Sequence, residues 1–210
     1  ILIHSSNIGI SKISEKYSKQ ELYKLIKRFG FNTKTYIPLN NESPGKIRTI
    51  SNWSKTSKNY ISIGQEISIN NLQLASAYAA IANGGYLIEP SIIKKISRNK
   101  EVKYAHSPKY IRKIISKEIS NQLIRMLNDV VELGTGKEIN LNGYNIAGKT
   151  GTAQKYIDGN YSNYISTFAS IIPSNNPKYI MIISVDEPKY GYHWANQSAV
   201  PASREIIKRL

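Results

Sequence analysis

Lys149-Thr150-Gly151-Thr152 is the stretch of this 210-residue sequence whose residue types and spacing are best suited to chemistry. It lies within Ala147-Gly148-Lys149-Thr150-Gly151-Thr152-Ala153-Gln154. On a strand, Lys149 and Gly151 face one side and Thr150 and Thr152 the other, unless the strand twists or bulges. Gly151 removes a side chain where another backbone can lie close. A peptide could then add along the strand, with nearby donors holding its C-terminal carboxylate. The Thr150 and Thr152 hydroxyls are suitable donors, and the Lys149 ammonium supplies the opposite charge. A tetrapeptide of this kind also occurs as a solvated turn, so its context decides.

That context begins at Ser5-Ser6-Asn7, which has the residue types of a helix N-cap and precedes the lysine-threonine-glycine triplet. Penicillin-binding proteins and class A β-lactamases carry S-x-x-K, S-D-N and K-T-G in that order, and the chain holds an S-x-N form of the second element and the third. Longer segments agree. Gly64-Gln65 is followed by Asn70, Leu72, Gln73, Ala77, Tyr78 and Ala82-Asn83-Gly84-Gly85, similar to G-Q…T-P-L-Q…A-Y…A-N-G-G. Val130-Val131-Glu132-Leu133-Gly134-Thr135-Gly136 resembles V-V-x-x-G-T-G, and Gly143-Tyr144 leads into Ile146 to Lys155. Over almost its whole length the chain resembles the transpeptidase domain of class B penicillin-binding proteins. The S-S-N and K-T-G-T-A-Q-K forms look most like the division-specific, septal members.

The resemblance implies a serine D,D-transpeptidase that cross-links peptidoglycan stem peptides through an acyl-enzyme and is acylated by β-lactams. Ser5 would relay protons, and Asn7 would hydrogen-bond the substrate's backbone amide. Lys149 would set the electrostatics of the Ser5 region and favour the substrate carboxylate. The Thr152 backbone N–H would form half of the oxyanion hole. Thr150, Gly151 and Thr152 would bind substrate. The implied partners are stem peptides ending in D-Ala-D-Ala, β-lactams and division proteins, with no cofactor, metal or nucleic acid. The implied location is the periplasmic face of the bacterial inner membrane, with a membrane anchor upstream.

Two departures stand out. No S-x-x-K tetrad precedes Ser5, so the nucleophile and its lysine base are expected upstream of Ile1. Residues 1–210 then read as the C-terminal part of one transpeptidase domain, inactive alone. In addition, Trp194-Ala195-Asn196 precedes Ala199-Val200-Pro201 where many relatives carry Gly-Gly, which should reshape the cleft rim. The rival readings are a non-catalytic β-lactam sensor, which needs a receptor-like span upstream, and the inactive product of a split gene. A β-lactamase is set aside because no candidate deacylating glutamate stands in a recognisable motif.

Composition narrows the alternatives. With 40% hydrophobic and 20% charged residues the chain is of globular type, and no run of about 18 apolar residues marks a membrane span. The absence of cysteine removes disulfides, thiolate metal sites and cysteine nucleophiles. His4, His106 and His193 are far apart, which disfavours a histidine metal site. The net charge of +15 raises nucleic-acid binding, but lysine is spread along the chain beside abundant Ile, Asn, Ser and Tyr, and no zinc-finger or RNA-recognition pattern accompanies it.

The elements that must position these residues follow from caps and periodicity. A helical stretch follows Ser5-Ser6-Asn7 to about Tyr17. Ser18-Lys19-Gln20-Glu21 reads as a capping box for a helix with Leu22, Leu25, Ile26 and Phe29 inward, ending at Gly30. Residues 31–60 read as irregular. Asn70 and Gln73 open a helix holding Leu74, Ala75, Tyr78, Ile81 and Ala82 and ending at Asn83-Gly84-Gly85. Tyr86 to Ile96 reads as irregular or edge strand. Ser116 opens a helix with Ile119, Leu123, Leu127, Val130 and Val131 as its buried stripe, broken at Gly134-Thr135-Gly136. Strands are expected over about residues 145–156, 164–172 and 179–185. Asp158-Gly159 and Ser174-Asn175-Asn176-Pro177 supply the turns between them. A closing helix from Ala199 to Leu210 should turn Ile206, Ile207 and Leu210 inward. The whole reads as an α+β fold, an antiparallel sheet covered by helices, of the penicillin-binding transpeptidase and serine β-lactamase kind, incomplete at its N-terminus.

Overall fold

A computed structural model of the chain describes residues 1–157 and 160–210. In chain order the elements are α1 (Asn7–Glu15), α2 (Lys19–Arg28), β1 (Lys46–Ile47), α3 (Ser57–Ser62), β2 (Ile67–Ser68) and α4 (Asn71–Ala82). There follow β3 (Tyr86–Ile88), β4 (Lys95–Arg98), β5 (Glu101–Ala105), β6 (Tyr110–Lys113) and α5 (Lys117–Leu133). The chain closes with β7 (Ala147–Ile157), β8 (Asn160–Ile172), β9 (Tyr179–Asp186) and α6 (Ala199–Ile207).

The helix starts lie where local hydrogen bonding places them. The hydroxyl of Ser6 accepts the Gly9 N–H at 3.1 Å and caps α1. Ser18 and Glu21 form a reciprocal capping box on α2, as Asn70 and Gln73 do on α4, and Ser116 caps α5. Each such bond satisfies a backbone donor that the first turn leaves without an intrahelical partner. Gln73 does more than cap. It is fully buried, and its amide nitrogen donates to the carbonyls of Thr33 and Pro44, both at 2.8 Å. It therefore ties the 31–46 segment to the start of α4.

β7, β8 and β9 form an antiparallel sheet in that order, so β7 is an edge strand among the described residues. Lys149 stands opposite Ala169, Thr150 opposite Phe168 and Gly151 opposite Thr167. Alternate residues of β8 enter different cores, as strand periodicity requires. Phe168 and Ile172 join Val131, Ile139, Val200 and Ile207, which places α6 on one face. Ile171 joins Ala147 and Leu127, with Tyr78 and Ile81 packed against them, which places α4 and α5 on the other. The antiparallel sheet covered by helices is thus present, with helices on both faces. Gly148 is required within it, because a Cβ there would lie 2.5 Å from the Phe168 ring.

Several expectations differ from the structure. The first helix ends at Glu15 rather than near Tyr17. The 31–60 stretch holds β1, a 3₁₀ turn over Ile50–Asn52 and the start of α3. Ile47, Trp53 and Ile61 form a small core there, against which Leu22 and Ile26 of α2 pack. The Tyr86 to Ile96 run holds β3 and the start of β4; β5 and β6 follow in a stretch for which no element was expected, and all residues of β4 to β6 are exposed. Leu25, Ile119, Ile206 and Leu210 are exposed rather than inward. The buried stripe of α6 is Ala199, Val200, Ser203 and Ile207, and Ile206 lies one residue, about 100°, off it. The Asp158-Gly159 turn lies outside the described residues. Residues 174–177 do connect β8 to β9.

Candidate active site

The S-S-N segment reaches the cleft through a tight turn at the start of the chain. The Ser5 N–H bonds the Leu2 carbonyl at 3.1 Å and the Ser6 N–H the Ile1 carbonyl at 3.0 Å. The turn puts Ser5 at φ +50°, a left-handed conformation that costs an L-residue roughly 1–2 kcal/mol. Because Ser6 takes the capping role, the Ser5 hydroxyl is free to face the cleft. Asn7 is the first residue of α1, exposed at the cleft border, and its side-chain amide has no hydrogen-bond partner among the described residues.

A second loop fixes that turn. Gly134 follows the last residue of α5, and a Cβ on it would lie 2.2 Å from the Ile3 carbonyl oxygen. The Thr135 N–H then donates to the same carbonyl at 3.1 Å. Glycine is needed at 134 for this close approach, not for an unusual φ.

The cleft, of about 570 Å³, is bordered by Ser5, Asn7, Thr135 and residues 149–152 of β7, with Ile63 and Trp194 on its rim. Lys149, Thr150, Gly151 and Thr152 all border it, although strand alternation assigns them to two faces. The cleft runs along the unpaired edge of β7 and so meets both faces. Lys149 Nζ donates to the Ser5 hydroxyl and, at 2.8 Å, to the Thr150 carbonyl. Ser5 Oγ lies 3.3 Å from Thr135 Oγ1, which lies 2.9 Å from Thr150 Oγ1. Three segments far apart in sequence thus meet in one hydroxyl–ammonium network. Burial lowers the Lys149 pKa from the ordinary lysine value, because desolvation disfavours the charged form. A Cβ built on Gly151 finds only the Thr167 carbonyl oxygen within reach, at 3.9 Å, so on the protein side the space over it is open.

The Trp194-Ala195-Asn196 segment forms the far rim. The Ala195 N–H donates to Thr152 Oγ1 at 3.1 Å, which leaves the Thr152 hydroxyl hydrogen available to an acceptor in the cleft. The Trp194 ring lies 4.9 Å from that of His193, which stacks on Tyr164 at 4.6 Å. The rim departure noted in the sequence therefore becomes an aromatic wall anchored on the K-T-G-T strand.

Every residue singled out in the sequence as catalytic or substrate-binding borders this one cleft: Ser5, Asn7, Lys149, Thr150, Gly151 and Thr152. The reading of the sequence assigned no role to Thr135 or Ile63, and it placed Trp194 only within the segment expected to reshape the cleft rim. For Thr135 the available signal was a polar residue held between two glycines just beyond a helix. Three S-x-x-K spacings do occur after Ser5, at Ser43-Pro44-Gly45-Lys46, Ser91-Ile92-Ile93-Lys94 and Ser97-Arg98-Asn99-Lys100. None of their residues borders the cleft. Among the described residues no group of three or more His, Cys, Asp and Glu side chains is placed to hold a metal, and no helix is long and apolar enough to cross a membrane.

This arrangement can bind a peptide along a strand edge, hold its carboxylate between an ammonium and a threonine hydroxyl, and move a proton through a serine hydroxyl. Known proteins resemble the chain in sequence and fold. The family model described as penicillin binding protein transpeptidase domain matches residues 1–208. Stage V sporulation protein D of Bacillus subtilis is 33% identical over 212 residues, covering 99% of this chain and 33% of that protein. A peptidoglycan D,D-transpeptidase FtsI homolog of Mesostigma viride is 30% identical over 231 residues, covering 100% of this chain and 38% of that protein. The crystal structure of penicillin binding protein 3 from Mycobacterium tuberculosis complexed with ampicillin superposes with a TM-score of 0.87 at 30% identity, covering 99% of this chain and 50% of that one. The chain thus spans about a third of the length of these curated relatives.

Proposed function

The chain belongs to the class B penicillin-binding protein transpeptidase family, and on that premise we propose that it is one part of a peptidoglycan D,D-transpeptidase whose nucleophilic serine and lysine base lie outside residues 1–210. The observation that carries this reading is the donation from Lys149 to the Ser5 hydroxyl, which joins the K-T-G strand to the S-S-N turn across one cleft.

In the proposed reaction a serine attacks the carbonyl between the two D-alanines of a stem peptide. The lysine base takes the serine proton, and Ser5 passes a proton on to the departing amine of the terminal D-alanine as the C–N bond breaks. The acyl-enzyme is then resolved by an amine of a neighbouring stem, which forms the cross-link. The Lys149 ammonium and the Thr152 hydroxyl hold the substrate carboxylate, and Thr150, whose hydroxyl is engaged with that of Thr135 at 2.9 Å, lines the wall beside it. Asn7, whose amide has no hydrogen-bond partner among the described residues, binds the substrate backbone. Among the described residues the outer edge of β7 has no strand partner, which leaves alternate N–H groups there without one, and that of Thr152 supplies half of the oxyanion hole, a contribution worth about 10²–10³ in rate. β-Lactams acylate the same serine.

The S-S-N and K-T-G-T-A-Q-K forms favour a septal role with division partners, and the parent protein acts at the periplasmic face of the bacterial inner membrane. The deciding experiment compares fluorescent-penicillin labelling of the isolated chain and of the full-length protein that contains it. The full-length protein should label and the isolated chain should not. Stoichiometric labelling of the isolated chain, competed by unlabelled β-lactam, would place the nucleophile within residues 1–210. An unlabelled full-length protein would refute the transpeptidase reading.

A further inference from the structure

We infer that Thr135 is a positioning residue, whose hydroxyl aims the hydrogen of Ser5 into the cleft; the inference rests on the relay role proposed for Ser5.

The argument is an accounting of donors and acceptors. A serine hydroxyl has one hydrogen and two acceptor positions, and a lysine ammonium only donates. The contact with Lys149 therefore fills one acceptor position of Ser5. Thr135 Oγ1, 3.3 Å away, takes one of the two directions that remain. If Thr135 accepts, the Ser5 hydrogen points back into the protein and is unavailable for transfer. If Thr135 donates, both acceptor positions of Ser5 are filled, and its hydrogen is left only the open side, which is the cleft. A relay requires the second arrangement. Thr150 Oγ1, 2.9 Å from Thr135 Oγ1, completes the order by donating to Thr135 once Thr135 has given its hydrogen to Ser5. Hydrogens then run from Thr150 to Thr135 to Ser5, and Lys149 donates to Ser5 from the other side.

The backbone holds Thr135 for this task. Its N–H is bonded to the Ile3 carbonyl, two residues before Ser5. The bare Cα of Gly134 lets that carbonyl approach. The Thr135 side chain is thereby carried on the same clamp as the serine it orients. The residue lies one position beyond the Gly134 C-cap of α5 and needs no contact with substrate to exert this effect.

The test uses the full-length protein carrying T135S, T135V or T135A. Acylation by a fluorescent penicillin is followed against concentration, which separates the limiting rate constant from the dissociation constant. Melting temperatures establish that each variant is folded. T135S keeps the hydroxyl and should acylate within about threefold of wild type. T135V and T135A lack it and should lose about tenfold or more in the limiting rate constant, the equivalent of one ordinary hydrogen bond, with the dissociation constant within about twofold. Alanine leaves the backbone clamp to Ile3 untouched, so it carries the test if valine does not fold. Wild-type rates in T135V or T135A overturn the inference, as does a loss in T135S equal to that in T135A, or a loss that falls entirely on the dissociation constant. If the wild-type protein is not acylated, the functional reading fails first and this inference falls with it.

Discussion

The ammonium of Lys149 donates to the hydroxyl of Ser5 across 144 positions of sequence. Neither residue is remarkable where it stands. One is a lysine on an edge strand, the other a serine just before a helix cap. Their contact turns two common motifs into two walls of one cleft, and the consequences can be measured.

Removing the charge at this contact should stop the chemistry. In the full-length protein, Lys149→Ala is expected to reduce β-lactam acylation and cross-linking by on the order of 10²–10³, the scale for losing a preorganised donor in an active site. Stopped-flow acylation of the folded variant measures this, and normal acylation would remove Lys149 from its assigned role.

The pH dependence has a definite sign. Burial lowers the Lys149 pKa, so as pH rises its ammonium is lost before that of an ordinary lysine. Carboxylate binding should therefore weaken on an alkaline limb lying below the usual lysine range. Lys149→Arg keeps its charge throughout the accessible range, so this limb should vanish in that variant even though altered geometry slows the reaction. A pH–rate profile of both proteins decides the matter.

Gly151, on the cleft, and Gly134, next in sequence to the cleft residue Thr135, should respond in opposite ways. Gly134→Ala drives a Cβ into the Ile3 carbonyl oxygen and should cost about 1–3 kcal/mol, the scale of overpacking, while displacing Ser5. Gly151→Ala meets no protein atom closer than 3.9 Å, so stability should stay within about 0.5 kcal/mol. Its methyl group instead obstructs the strand edge and should slow acylation by about tenfold or more. Denaturant melts and acylation rates on both variants separate the two effects.

Gln73 should be worth more than its cap. Asn70→Ala removes a capping acceptor and should cost about 1 kcal/mol. Gln73→Leu in addition strands the Thr33 and Pro44 carbonyls that its amide serves, at about 1–3 kcal/mol for each group left buried without a partner. Urea titration of the two variants should rank Gln73→Leu as the more damaging.

The parts legible in the sequence are those set by short-range rules. Ser18 with Glu21, Asn70 with Gln73, and Ser116 mark helix starts because a cap bonds a backbone N–H only a few residues away. The sheet strands were legible because buried residues recur along them, as Phe168 and Ile172 do on one face and Ile171 on the other. β4 to β6 were not, since their apolar residues stand exposed and carry no burial pattern. The exposed Leu25 and Ile206 mark the limit of helical periodicity, which gives the spacing of a stripe but not the width of the surface that covers it.

The sequence by itself determined which residues could do chemistry at this site, through the residue types of Lys149-Thr150-Gly151-Thr152 and Ser5-Ser6-Asn7, and it determined the family whose order those motifs follow. Only the tertiary structure decided that Lys149 reaches Ser5, that Thr135 stands between Ser5 and Thr150, and that Ala195 anchors Trp194 on Thr152. The reason is physical. A cap or a strand alternation is written within a few residues of itself. A contact between distant segments exists only once packing brings their backbones together, as the missing Cβ of Gly134 lets the Ile3 carbonyl approach.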